Sequence, residues 1–196
     1  MWGLYRELLQ QLWRIEHIRA LRELEGGWNF VKPTFFHNQE VGELRTLVLG
    51  LGNPICADDG VGISIAEAIR GRVHGPDVEV AETSAAGLGL LDLMSGYQRL
   101  IVIDAIQTRD GRPGDIHRLG LEDLPAPLHC STIHDVDLTT ALELGRRLNM
   151  TVPREVVIYA VEVSDVTTFR EGCTPEVERA IPQVADMVIR ELLGPS

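Results

Sequence analysis

The chain has 196 residues, 44% of them hydrophobic and 24% charged, an ordinary globular composition that excludes wholesale disorder. Eighteen basic against 29 acidic residues leave a formal charge of −11, which argues against a nucleic-acid binder that works by neutralising phosphates. No apolar run approaches the roughly 18 residues of a membrane span, and Met1–Gly26 is too charged for a secretory signal.

Cys56, Cys130 and Cys173 lie far apart with no C-x-x-C, which points to a reducing cytoplasm and away from a disulfide framework. Lys32 is the sole lysine, so Schiff-base chemistry and a P-loop lysine are closed to anything built after residue 40. Neither a G-x-S-x-G elbow nor an H-E-x-x-H helix occurs.

In chain order, Trp2, Tyr5, Leu8, Leu12, Ile15 and Ile18 recur at helical spacing, so residues 1–26 predict an appended amphipathic helix. Residues 27–42 are rich in glycine, proline and aromatics and predict a linker. Residues 1–42 are charge-neutral, so the domain at 43–196 carries the whole −11. With no excess of basic residues, the first helix is a poor membrane anchor.

From Arg45 the pattern is α/β. Thr46–Gly50 is a buried strand ending in glycines, Gly60–Val73 a helix, Val78–Thr83 a strand and Leu88–Met94 a short helix. Leu100–Ala105 is an apolar strand interrupted only by Asp104, and Ile116–Leu119 a further strand after a turn at Asp110–Gly114. Gly120–Ile133 predicts a long loop, Asp135–Leu148 a helix and Glu155–Val163 a strand. The last helix has Thr174 as its N-cap, Pro175 at its first position, and Glu176 and Glu178 at the positive end of its dipole. Strands alternating with helices predict an open, mostly parallel twisted sheet of about five strands with helices on both faces, a three-layer sandwich.

Such sheets bind ligands at the carboxyl ends of their strands. The first such end runs from Gly50 to Gly62, but Ile55 stands where a dinucleotide fold needs its third glycine. Asp58 and Asp59 occupy the place of a pyrophosphate, and carboxylates repel phosphate there. Paired carboxylates suit a cation or acid–base work. Asp104 ends an apolar strand, and His134 lies just before a helix. Singly, each has a plainer reading: Asp58 and Asp59 as first-turn caps, Asp104 as a turn cap, His134 as a hydrogen-bonded helix-entry histidine. Together they are a mixed oxygen and nitrogen set suited to a borderline divalent metal.

The stretch Gly50-Leu51-Gly52-Asn53-Pro54 to Asp58-Asp59-Gly60-Val61-Gly62 resembles the signature of the nickel–iron hydrogenase maturation proteases. Ile101-Val102-Ile103-Asp104-Ala105, His134-Asp135-Val136-Asp137-Leu138 and Thr174-Pro175-Glu176-Val177 extend the resemblance over about residues 46–193. It implies an endopeptidase that removes the C-terminal extension of the hydrogenase large-subunit precursor after nickel insertion. It further implies that Asp59, Asp104 and His134 bind nickel carried by the substrate, with Asp58 at the adjacent acidic position.

The expected enzyme is a cytoplasmic monomer whose partner is that precursor, with no nucleic acid, no membrane span and no resident metal. Whether nickel, a metal-bound water or an aspartate drives cleavage stays open. Two features depart from the family pattern: Ser84-Ala85-Ala86-Gly87 lacks the usual loop threonine, and residues 1–40 have no counterpart. The competing readings are a peptidyl-tRNA hydrolase-like esterase, which shares the Gly-Leu-Gly-Asn-Pro opening, and a non-catalytic metal-binding assembly module.

Overall fold

The computed structural model describes residues 45–85, 87–123 and 133–194, with the side chains of 88 and 133–137 left outside. The expected helix at 1–26, the linker at 27–42 and Cys130 lie outside the described residues. The chain divides into two units, Met1–Val41 and Gly42–Ser196, and the described residues all belong to the second.

The elements run β1 (Thr46–Leu51), a 3₁₀ turn (Ala57–Gly60), α1 (Val61–Arg70), β2 (Val78–Thr83), α2 (Leu88–Met94), β3 (Arg99–Ile106) and β4 (Ile116–Leu119). A second 3₁₀ turn (Leu121–Asp123), α3 (Ile133–Arg147), β5 (Glu155–Glu162) and α4 (Pro175–Leu193) complete them. They form one five-stranded sheet in the order β2-β1-β3-β5-β4, with every pairing parallel except β4 on β5. The expected three-layer sandwich is the architecture observed.

Strand alternation sorts the core into two layers. Leu47, Leu49, Leu51, Leu100, Val102, Ile106, Ile158 and Ala160 pack with Leu90 and Met94 of α2 and with Leu138, Ala141 and Leu142 of α3. Val48, Ile101, Ile103, Ala105, Val157, Tyr159 and Val161 face the other way. They meet Val61, Ile65 and Ile69 of α1 and Val177, Ala180, Val184 and Val188 of α4. Burying each such aliphatic side chain is worth about 1.5–3 kcal/mol, which is why both helical stripes lie on the sheet.

α1 lies unusually close to the strands. A Cβ on Gly62 would sit 2.3 Å from the carbonyl oxygens of both Leu51 and Ile103, and one on Gly50 would sit 2.3 Å from the Gly62 carbonyl. Both positions therefore require glycine. The close approach seats the first turn of α1 between the carboxyl ends of β1 and β3.

Two boundaries differ from expectation. α1 begins at Val61, because Ala57–Gly60 forms a separate 3₁₀ turn. α3 begins at Ile133 instead of Asp135, so His134 is its second residue.

Candidate functional site

From β1 the chain goes to β2 on one side, then back across β1 to β3 on the other. The carboxyl ends of β1 and β3 are therefore the topological switch point, where an open α/β sheet leaves a crevice. Asp58 and Asp59 follow β1 in the 3₁₀ turn, which packs against β3, and Asp104 lies two residues before the end of β3. Since Gly50 pairs with Ile103, Asp104 stands one position beyond, at the level where β1 ends.

The two adjacent aspartates have different surroundings. Asp58 is fully buried. Its Oδ1 accepts the Thr174 N–H at 2.6 Å, and its Oδ2 accepts the Thr174 hydroxyl at 3.1 Å. The same Oδ2 accepts the Asp165 N–H at 3.2 Å and the Ser164 N–H at 3.3 Å. One carboxylate thus ties the turn after β1 to the loop after β5 and to the start of α4. The Thr174 hydroxyl, expected to cap α4, is turned to Asp58 and makes no cap hydrogen bond.

Asp59 is half-buried and, among the described residues, accepts only the Asn53 N–H, at 2.8 Å on Oδ2. Gly52, at φ +134°, makes this geometry possible, since a Cβ there would fall 1.9 Å from the Asp59 carbonyl oxygen. The carboxylate is held by one backbone donor and keeps accepting capacity for a further ligand.

Asp104 is buried, and its Oδ1 accepts the Ala105 N–H at 2.8 Å. Val102 and Ile106 flank it on the layer covered by α2 and α3, so alternation turns Asp104 to that layer. α3 ends at Arg147, and after the left-handed Asn149 the chain reaches Arg154, whose N–H bonds the Gln98 carbonyl beside the start of β3. The carboxyl end of α3 thus lies at the amino edge of the sheet. Its 15 residues, at about 1.5 Å each, carry the first turn with His134 to the opposite edge. Asp59, Asp104 and the backbone of His134 therefore share the carboxyl edge. The side chain of His134 lies outside the described residues, among which no three His, Cys, Asp or Glu side chains converge as a cation site.

The neighbouring loop is well ordered by its own bonds. Asp165 Oδ1 accepts the N–H groups of Thr168 and Thr167 at 3.0 and 3.3 Å, and the Thr168 bond above all holds its carboxyl below the usual range. Cys173 sits beside Asp58, and burial, followed by the Asp58 charge, pushes its thiol up to about 11. That thiol is a poor nucleophile near neutrality.

A third buried carboxylate was not among the candidates expected from the sequence. Glu162 closes β5 at 2% exposure and accepts the N–H and hydroxyl of Thr108, at 3.1 and 2.5 Å. His117 Nε2 lies 3.5 Å from its Oε1. The signal was available: Glu162 ends the apolar run Val156–Val161 just as Asp104 ends its own strand.

The model of the family described as hydrogenase maturation protease matches residues 63–191. The "Hydrogenase 2 maturation protease" of Escherichia coli strain K12 is 32% identical over 152 residues, 76% of this chain and 91% of the relative. A HupD hydrogenase expression/formation protein of Rhodobacter capsulatus is 32% identical over 156 residues, covering 76% and 71%. Among solved structures, the E. coli hydrogenase maturating endopeptidase HybD superposes with a TM-score of 0.64 at 27% identity, over 76% of this chain and 92% of that one.

Proposed function

This chain belongs to the hydrogenase maturation protease family and is a peptidase, and from that premise we propose that it removes the C-terminal extension of a nickel–iron hydrogenase large-subunit precursor once nickel is in place. What supports the reading is that Asp59 follows β1 and Asp104 lies near the end of β3, the two strands that flank the switch-point crevice, on the edge to which α3 brings the backbone of His134.

In this reading the nickel belongs to the substrate. Asp59, Asp104 and His134 supply two oxygens and one nitrogen, a donor set that suits Ni²⁺ and leaves positions for the thiolates already holding it. Bound nickel then fixes the scissile peptide against the crevice, and it offers Lewis-acid polarisation of the carbonyl or activation of water. Asp59, which accepts the Asn53 N–H, keeps accepting capacity with which to orient the attacking water. Asp58 serves by position: its bonds to Thr174, Ser164 and Asp165 fix the turn that presents Asp59. The cytoplasmic location belongs to the proposal and rests on the sparse cysteines. Among the described residues no helix is long and apolar enough to cross a membrane.

The test is processing of a nickel-loaded precursor, read by intact mass. Asp59→Asn, Asp104→Asn and His134→Ala should each abolish removal of the extension while melting close to the parent. An Asp104→Asn protein that cleaves at the parent rate would sink this site.

A further inference from the structure

Three carboxylates are buried among the described residues: Asp58, Asp104 and Glu162. The first two belong to the site already described. Glu162 does not, and its surroundings show what it is for.

By register Asp104 pairs with Ala160, and Ala160 with His117. Residues directly opposite one another share a face, so Asp104, Ala160 and His117 form one row across β3, β5 and β4. Arg118 points to the other face, where it pairs with Glu191 of α4. Glu162 stands two residues beyond Ala160 on the His117 face. It has no arginine or lysine partner among the described residues.

Its carboxylate is held by Thr108 and by close packing of Gly111, where a Cβ would come within 2.1 Å of it. The group it faces is the imidazole of His117. Nε2 of that ring is buried 3.5 Å from Glu162 Oε1 while the side chain as a whole is 40% exposed, so another part of the imidazole reaches the surface. A buried carboxylate 3.5 Å behind a half-exposed imidazole restrains how that ring is turned.

Two strand separations put the Asp104 and His117 backbones about 9–10 Å apart, with Ala160 the residue between them in that row. A peptide lying along the carboxyl edge over β3 and β5 would therefore pass His117 as well as Asp104.

We propose that His117, oriented by Glu162, is a catalytic acid–base residue that serves the leaving amine, an inference that rests on the peptidase reading above. Water adds its oxygen to the scissile carbonyl carbon and gives a proton to the His117 imidazole. The C–N bond then breaks, its electron pair stays on nitrogen, and the imidazolium returns the proton to that nitrogen. The net change is one water consumed, with one acid and one amine formed. His117 is catalytic and Glu162 is a positioning residue.

The experiment follows processing of nickel-loaded precursor by the full chain, its His117→Ala, His117→Gln and Glu162→Gln variants, with and without imidazole in the buffer. For His117→Ala, kcat should fall about 10²-fold or more with KM within about twofold, and added imidazole should restore at least about tenfold. His117→Gln keeps the volume of the ring, should melt with the parent, and should be as slow. Glu162→Gln should lower kcat more than it raises KM. If both His117 variants process within about twofold of the parent, or if imidazole restores nothing to His117→Ala, the inference is overturned while the peptidase reading stands. Failure of the parent to cleave at all overturns both.

Discussion

Replacing Asp58 by alanine removes the acceptor for five donors on two segments: the Thr174 N–H and hydroxyl, the Asp165 N–H, and the Ser164 N–H and hydroxyl. A hydrogen bond to a charged group contributes about 1.5–3 kcal/mol net, but bonds sharing one carboxylate are not additive. Partial rehydration reduces the sum further, so the expected loss is about 3–5 kcal/mol, the range for breaking a buried charged network. At roughly 2–4 °C per kcal/mol for a chain of this size, the melting temperature should fall by about 6–20 °C. Asp58→Asn should fall nearly as far, since an amide nitrogen in either oxygen's place meets donors and not acceptors. Asp59→Ala loses one half-exposed bond from Asn53 and should cost no more than about 2 kcal/mol. The assay is thermal melting of the three variants beside the parent, with urea titration to check that m is unchanged. If Asp58→Ala melts within about 2 °C of the parent, or Asp59→Ala falls equally, the division of labour between the two aspartates is refuted.

Cys173→Ser and Cys56→Ser should process precursor at the parent rate; a dead Cys56→Ser beside an active Asp104→Asn would make the enzyme a cysteine protease. Alkylation of Cys173 should be slow near neutrality and accelerate as pH approaches about 11, where burial and the Asp58 charge have moved its thiol. Glu191 has its carboxyl held down by Arg118 above all, with Tyr159 adding a hydrogen bond. Its stabilisation is therefore complete above the unfolded value of about 4.3 and is lost as pH falls through the lower folded value. The melting gap between parent and Glu191→Gln should be wide near neutrality and shrink only in that acid window; a gap that is constant with pH contradicts it. A chain beginning near Val41 should fold and cleave by itself, because it keeps Arg45, whose N–H bonds Gln98 and whose guanidinium covers Tyr97, together with every proposed donor. Insolubility or a much lower melting temperature would assign Leu8, Leu12 and Ile15 to the domain's core.

Strand and helix identities were legible because this fold writes them strongly. Fully buried parallel strands appear as continuous apolar runs, and Leu100–Ala105 is one. The crevice was legible too, since Gly50, Gly52 and Gly62 mark where backbone must touch backbone, and carboxylates at strand ends stand out against apolar neighbours. Spacing alone does not separate Asp58 from Asp59; only the family resemblance sets Asp59 apart as a nickel-binding position. What separates them is the burial and bonding of one side chain, set by Ser164, Asp165 and Thr174, which lie more than 100 residues away. The Thr174 hydroxyl was assigned to a local cap for the same reason: a long-range charged acceptor outcompetes a local backbone donor. Glu162 went unnoticed because its partners, Thr108 and His117, belong to other strands and loops and share no spacing with it.

The central claim is that this crevice processes a precursor recognised through the nickel it carries. The most direct measurement incubates the purified chain with matched nickel-loaded and nickel-free large-subunit precursors and reads the mass of each with time. Loss of the C-terminal extension from the nickel-loaded precursor alone is the predicted result. Equal cleavage of both forms, or binding of the loaded precursor without cleavage, would contradict it.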